Sequence, residues 1–519
     1  MKLPRIIQLI VLVALGTGSG SVGAFAAATA SKERPNILFI MTDDQSYRSV
    51  GSYEGSRPWV DTPNIDRLAR SGVRFANAYV GTWCMPARVS LLTGRLPHAV
   101  ESVRMEGPYP GVEYDSKKSP FWPSVLRAQG YSTAHIGKWH VGADTGAGRD
   151  WDYQAAWLRP KRADNPDGTS YYYDQKISFN GAPAQSVRGY ATDNFTDWAE
   201  AFVRGDNRAE DQPWYLWLCY TAPHHPFVPA ERHRFDYLRE EVPVPSDIFP
   251  PRPGKPAYMQ KVREWEYDEN GMLRAVYPEG FPLREGVHDY NRSIRAIDEG
   301  VGRLLDTLAE TGQLENTLVV FTSDQGYAWG EHGFIKKVAP YDANIRAPMI
   351  VSQPGTVLAE HTVERPVAGL DLIPTFFAQA GVKLPWRMHG HDLSPLLQNE
   401  SATWPYPVML SYTGWTYGSA TSPLPEDGMD GHSDIAHVPW YVMLRDGRYK
   451  YIRTFVKDEV EELYDLSDDP DELTNLASAP NQRQRVLRLR GEAIAQLRRT
   501  EAPFVDALPP VRPLAKVGH

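Results

Sequence analysis

Asn36-Ile-Leu-Phe-Ile-Met-Thr-Asp-Asp44 is the stretch on which the fold turns. Its first seven residues form an apolar run of strand length with no polar alternation. Such a run belongs to a strand covered on both faces, as in parallel sheets flanked by helices. The acidic pair Asp43-Asp44 then lies at the strand's end. Further strand candidates are Arg74–Val80, Ser132–Ile136, Trp214–Tyr220, Thr317–Thr322 and Pro348–Ser352. Helix candidates are Ile65–Ser71, capped by Asn64 and ended by Gly72, with Phe121–Ala128, Asp289–Thr311 and Asp371–Ala380. Buried strands interleaved with helices predict an α/β fold, a large sheet sandwiched by helices, whose chemistry lies at strand ends where loops converge.

Two segments break this alternation. Asp164–Ser186 and Pro243–Glu285 are rich in Pro, Gly, Tyr and charge with little periodicity, and read as long surface insertions that shape a pocket. Near Asn399 the pattern changes again. Pro439–Leu444, Tyr449–Arg453 and Glu461–Leu466 read as short strands with a turn at Asp446-Gly447, and Asn481–Arg498 as a final amphipathic helix. The expected organisation is a signal peptide at 1–30, a catalytic domain at 34–398, a smaller C-terminal α+β subdomain at 399–503 and a tail at 504–519.

The 519 residues, 42% hydrophobic and 23% charged, suffice for a large core. A net charge of -9 gives no general attraction to nucleic acid or to an anionic membrane, so an anionic substrate must be drawn by local cations. The 15 Trp and 27 Tyr are compatible with stacking on sugar rings, although most are expected in the core. Lys2 and Arg5 precede the apolar run Ile6–Leu15, and small residues follow through Ala24–Ala30. This is the pattern of a secretory signal cleaved near Ala26 or Ala30, and the run is shorter than the ~20 residues of a membrane span. Export to the periplasm or medium is therefore expected. Of the two cysteines, Cys219 lies inside a strand candidate and reads as a buried inert thiol rather than half of a disulfide.

The other cysteine opens the strongest motif, Cys84-Met-Pro-Ala-Arg88-Val-Ser-Leu-Leu-Thr-Gly94-Arg95. Pro86 suits a first helical position, which puts position 84 at a helix N-terminus, where free N–H groups favour an anion, with Arg88 one turn along. Asp43-Asp44 and Ser323-Asp324-Gln325-Gly326 each follow a strand, and carboxylates at adjoining strand ends suit a hard cation with oxygen ligands. Gly137-Lys138-Trp139-His140 and Pro223-His224-His225-Pro226 also follow strands, and Lys336-Lys337 follows Gly330-Glu331-His332-Gly333. Together they surround one metal with cations and imidazoles.

These motifs resemble those of the formylglycine-dependent sulfatases of the alkaline phosphatase superfamily. The resemblance runs from Pro35 to about Leu397 and again through Leu444–Leu476, where Leu444-Arg-Asp-Gly-Arg-Tyr-Lys450 and Glu462-Leu-Tyr-Asp-Leu look like the family's C-terminal signature. It implies that Cys84 is oxidised to formylglycine by a formylglycine-generating or equivalent maturation enzyme. It implies calcium held by Asp43, Asp44, Asp324, Gln325 and the modified Cys84, with Arg88, Lys138, His140, His224 and Lys337 around the sulfate. Gln325 departs from the Asn or His of many members, yet its side-chain carbonyl still suits calcium. Lys336 competes with Lys337, and alignment through Gly-Glu-His-Gly favours the latter; His225 competes with His224, which is favoured because it directly follows Ala222-Pro223.

A hydrated formylglycine attacks sulfur with one hydroxyl and later expels sulfate with the other, while Arg88, Lys138 and Lys337 stabilise the sulfonate charge and His224 or His140 protonates the leaving alkoxide. The expected function is hydrolysis of a sulfate ester, with a sulfated carbohydrate as substrate. Two rival expectations are a phosphodiesterase or phosphonate monoester hydrolase of the same superfamily, and a carbohydrate-binding relative whose cysteine stays unconverted. The sugar and the position of its sulfate are not legible in the sequence.

Overall fold

The computed structural model describes residues 34–104, 114–160, 168–276, 280–429 and 437–514. The signal expected at 1–30 lies outside them. Strand β1 (Asn36–Thr42) is buried along its whole length. The main sheet adds β2 (Val73–Phe75), β3 (Ser132–Lys138), β4 (Tyr153–Trp157), β5 (Tyr173–Phe179), β6 (Gln185–Tyr190), β7 (Trp214–Cys219), β8 (Thr317–Ser323), β9 (Met349–Ser352) and β10 (His361–Val363). Across the sheet the order is β10-β2-β9-β8-β1-β7-β3-β4-β5-β6. The centre, β8-β1-β7-β3-β4, is parallel, and antiparallel pairings flank it on both sides. The sheet is therefore mixed, with its most buried part parallel.

Alternation along β1 sorts two cores. Ile37, Phe39 and Met41 enter one, shared with α2 (Cys84–Thr93), α3 (Pro123–Ala128) and α6 (Leu372–Gln379). Leu38 and Ile40 enter the other, shared with α1 (Pro63–Arg70), α4 (Ala191–Arg204) and α5 (Leu283–Glu310). Most tryptophans serve these cores: Trp122, Trp139, Trp151, Trp157, Trp214 and Trp217 are fully buried. The C-terminal sheet is an antiparallel meander of β11 (Val408–Tyr412), β12 (Tyr441–Asp446), β13 (Tyr449–Thr454) and β14 (Glu462–Asp465). One face carries Val442, Leu444 and Leu463 against Val486, Leu489 and Leu497 of α7 (Arg483–Arg499), and the other joins the main core through Tyr441, Met443 and Ile452.

Several boundaries differ from the sequence reading. The strand expected at Arg74–Val80 is broken. β2 ends at Phe75, Asn77 Nδ2 donates to the Glu364 carbonyl at 2.8 Å, and Ala78–Tyr79 pairs in a separate small sheet. Asn64 is not a cap: the helix starts at Pro63, two residues before Ile65, and Asn64 Nδ2 instead donates to Asp298 on α5 at 2.9 Å. Helix α5 begins at Leu283 rather than Asp289, directly after Pro282. The Asp164–Ser186 insertion is more than a loop, because β5 within it and β6, which starts at its end, extend the main sheet, with β6 as the edge strand. β4 and β11 escaped the sequence reading as well. Both cysteines are free and buried.

Candidate active site

The parallel strands deliver four chain segments to one end of the sheet. Thr42 of β1 pairs with Ser323 of β8, so Asp43-Asp44 and Asp324-Gln325 emerge side by side. Successive strand residues would point to opposite faces. Asp44 escapes that rule with a left-handed φ of 66°, and the Tyr290 hydroxyl donates to its carbonyl at 2.7 Å. Asp44 N in turn donates to Asp324 Oδ1 at 3.0 Å. Asp43, Asp44, Asp324 and Cys84 thus present ligand atoms within 4.8 Å of one another, all buried.

Cys84 is the first residue of α2, with Trp83 as its extended N-cap; Pro86 sits two residues into the helix rather than at its start. The approach is tight, since a Cβ on Gly81 would lie 2.4 Å from Ala87 Cβ. The Cys84 thiol lies 3.1 Å from Asp43 Oδ1 and accepts from Lys337 Nζ at 2.9 Å. Arg88, one turn along and fully buried, donates to the Lys138 carbonyl at 2.8 Å and to Asp324 Oδ2 at 3.2 Å. Lys138 Nζ pairs with Asp43. Lys337 Nζ donates to both oxygens of Asp44, at 2.6 and 2.8 Å. The loop bearing it is held by Val338, whose N–H reaches the Thr82 carbonyl at 3.0 Å and whose carbonyl accepts from Tyr441 at 2.5 Å. Left-handed backbone recurs at His140, Lys336 and Val338, the kind of strain that gathers where side chains are aimed at a site.

Of the competing pairs, His224 is the histidine in the cluster: Nε2 lies 3.7 Å from Asp44 Oδ2, and Nδ1–H donates to the His225 carbonyl at 2.7 Å. His225 instead lies among Phe227 and Phe281. Lys337 rather than Lys336 touches the carboxylates. His140 is buried edge-on to Trp83, with no hydrogen-bond partner at either ring nitrogen among the described residues.

Burial raises the Asp324 carboxyl to about 7, with Asp43 adding to it, and burial likewise raises Asp44. Burial also acts to raise Asp43, but Lys138, His224 and Lys337 outweigh it and hold that carboxyl well below the usual range. Burial, then Asp43, pushes the Cys84 thiol far up, so it stays protonated and is a poor nucleophile. Burial keeps the His140 and His224 rings neutral. The donor set fits a hard cation. Three carboxylates converge, and Gln325, whose amide nitrogen donates to Asp44, leaves Oε1 buried without a partner. The thiol is the one soft member, and an oxygen-bearing side chain at 84 would complete an all-oxygen set.

Residues that sequence reasoning missed line the rim. Tyr171, from the insertion, stacks on His224 at 4.4 Å, and Trp415, from the loop after β11, stacks on Trp83 at 6.2 Å. Trp83 precedes Cys84 directly and was within reach of the reading; Tyr171 and Trp415 carried no local signal. Gln45, beside the acidic pair, is fully buried with neither amide atom hydrogen-bonded.

A family model described as Sulfatase matches residues 35–382. The N-acetylglucosamine-6-O-sulfatase of Bacteroides thetaiotaomicron is 28% identical over 501 residues, covering 86% of this chain and 83% of its own. Human arylsulfatase A is 31% identical over 395 residues, covering 72% and 70%. A solved structure in complex with its substrate D-glucosamine-2-N,6-O-disulfate superposes with a TM-score of 0.73 at 25% identity, covering 91% of this chain and 99% of that one.

Proposed function

The chain belongs to the sulfatase family, and from that premise we propose that it is an exported hydrolase of sulfated sugars working through a formylglycine made from Cys84 beside a bound calcium ion. Sulfuric ester hydrolysis is the activity of the named relatives. The observation that carries the finer reading is the state of Cys84. A thiol at a helix N-terminus that burial, and then Asp43, keeps protonated is badly placed to be a nucleophile itself. Conversion supplies a hydrated aldehyde, whose oxygen is both a nucleophile and a hard ligand. Calcium, when held by Asp43, Asp44, Asp324 and Gln325, supplies concentrated positive charge against the oxygens of the anionic ester.

The chain's own groups divide the remaining work. Lys138 and Lys337 each carry three donor hydrogens, enough to serve a carboxylate and a sulfonate oxygen together. With Arg88 they set fixed positive charge where the transition state gathers negative charge, from side chains that are themselves buried. His224 has Nδ1 committed to the His225 carbonyl, which leaves Nε2 facing the cluster as proton donor to the departing alkoxide. The ester's own charge against Nε2 favours the protonated ring that burial disfavours. His140, with both nitrogens unpartnered, supports a contact to the sulfonate.

Export rests on the Lys2, Arg5 and Ile6–Leu15 pattern, and maturation on recognition of Cys84-Met-Pro-Ala-Arg88 by a formylglycine-generating or equivalent enzyme. Among the described residues no helix is long and apolar enough to cross a membrane. The substrates named for the relatives make 6-O-sulfated glucosamine the first compound to assay. The test is sulfate release by purified, converted protein from sulfated sugars beside turnover of an aryl phosphodiester and a phosphonate monoester. Faster turnover of either phosphorus ester than of any sulfate ester would overturn the assignment.

A further inference from the structure

Two tyrosines of the insertion between β4 and β5 hold His224, one at its ring face and one at its backbone carbonyl. The Tyr171 ring lies parallel to the imidazole, 4.4 Å between centroids and 7° between planes. Tyr171 is itself fixed. Trp157 packs edge-on against it at 4.7 Å, Arg159 Nε donates to its hydroxyl at 3.1 Å, and Thr221 Oγ1 donates to its carbonyl. Lys138 Nζ stands 5.4 Å from the same ring, so the tyrosine spans from the histidine to a lysine of the cluster. Next to it, the Tyr172 hydroxyl donates to the His224 carbonyl at 2.5 Å. Ring plane, backbone carbonyl and Nδ1 of His224 are therefore all engaged, and Nε2 alone is left to face the reacting centre.

We propose that Tyr171 and Tyr172 are positioning residues that fix the His224 ring for proton transfer to a strongly basic leaving group. The proposal rests on the reading of His224 as the leaving-group acid. Neither tyrosine touches the carboxylates or Cys84 through any described hydrogen bond; Tyr172 acts through the histidine, and any effect of Tyr171 through Lys138 falls on both substrates alike, so a loss selective for one of them reports the histidine. A donor displaced by about 1 Å costs on the order of a hundredfold in rate, and only reactions that need the proton incur that loss. A sugar alkoxide needs it, whereas a phenolate hardly does.

The test compares kcat on a sugar sulfate and on an aryl sulfate for Tyr171→Leu, Tyr171→Phe, Tyr172→Phe and His224→Ala in the full-length, converted protein. Tyr171→Leu, which removes the stacked ring, is expected to lose roughly ten- to a hundredfold more on the sugar sulfate than on the aryl sulfate. Tyr171→Phe should keep most of the sugar-sulfate rate, because the stack survives. Tyr172→Phe, isosteric and so safe for folding, should show a smaller selective loss. Unchanged substrate ratios in both Tyr171→Leu and Tyr172→Phe, beside a selective loss in His224→Ala, would overturn the positioning role alone. A non-selective His224→Ala would instead remove the acid assignment, and this proposal with it.

Discussion

The two halves of the site are built by different means. Asp43, Asp44, Asp324 and Gln325 stand one or two residues beyond paired parallel strands, so a backbone ladder sets their positions. Tyr171, His224 and Lys337 come from loops, and tertiary contacts place them: a stacked ring, a tyrosine on a carbonyl, a C-terminal strand clamping Val338. Cys84 joins the halves, touching Asp43 from one and Lys337 from the other. On the proposed reading, the ladder half holds charge in place and the loop half serves the leaving group.

If that division is right, the largest effect comes from the residue that joins the halves. Cys84→Ala should lose on the order of a thousandfold or more in kcat on every sulfate ester, as removal of a nucleophile does, with an unchanged melting temperature. Retention of a tenth of the wild-type rate would break the comparison at its centre. In the ladder half, Asp324→Ala or Asp43→Ala should lose bound calcium and activity together, because a cation that takes six to eight oxygens loses a ligand. Atomic absorption beside a sulfate-release assay checks this, and full activity after exhaustive chelation would give the acidic cluster another purpose.

The same division explains what the sequence revealed. An apolar run that ends in carboxylates states both the strand and the direction of its end, so Asp43, Asp44, Asp324 and Lys138 were legible from local pattern. The Cys84-x-Pro-x-Arg88 motif was legible because a helix start has its own grammar. Tyr171 was not, since a tyrosine in an aperiodic insertion gains its role only when β5 folds onto the sheet edge. The break after Phe75 was hidden too. Arg74–Val80 reads as one strand, yet Ala78–Tyr79 pairs in another sheet, with the Asn77 contact to Glu364 at the break.

Within the loop half the effects should be smaller and graded. Lys337→Ala is expected to cost about a hundredfold in kcat, the order seen when one fixed charge on a transition state is removed. His225→Leu should leave turnover within about threefold, because its ring packs against Phe227 and Phe281. A His225→Leu loss as deep as that of His224→Ala would reverse the assignment of the two histidines.

The most direct measurement is the mass of the tryptic peptide 75–88 taken from protein whose sulfatase activity has been quantified. A formylglycine at position 84 makes this peptide lighter than its thiol form, and the converted fraction should rise in proportion to specific activity across preparations. A fully active preparation in which that peptide carries only the unmodified thiol would contradict the account.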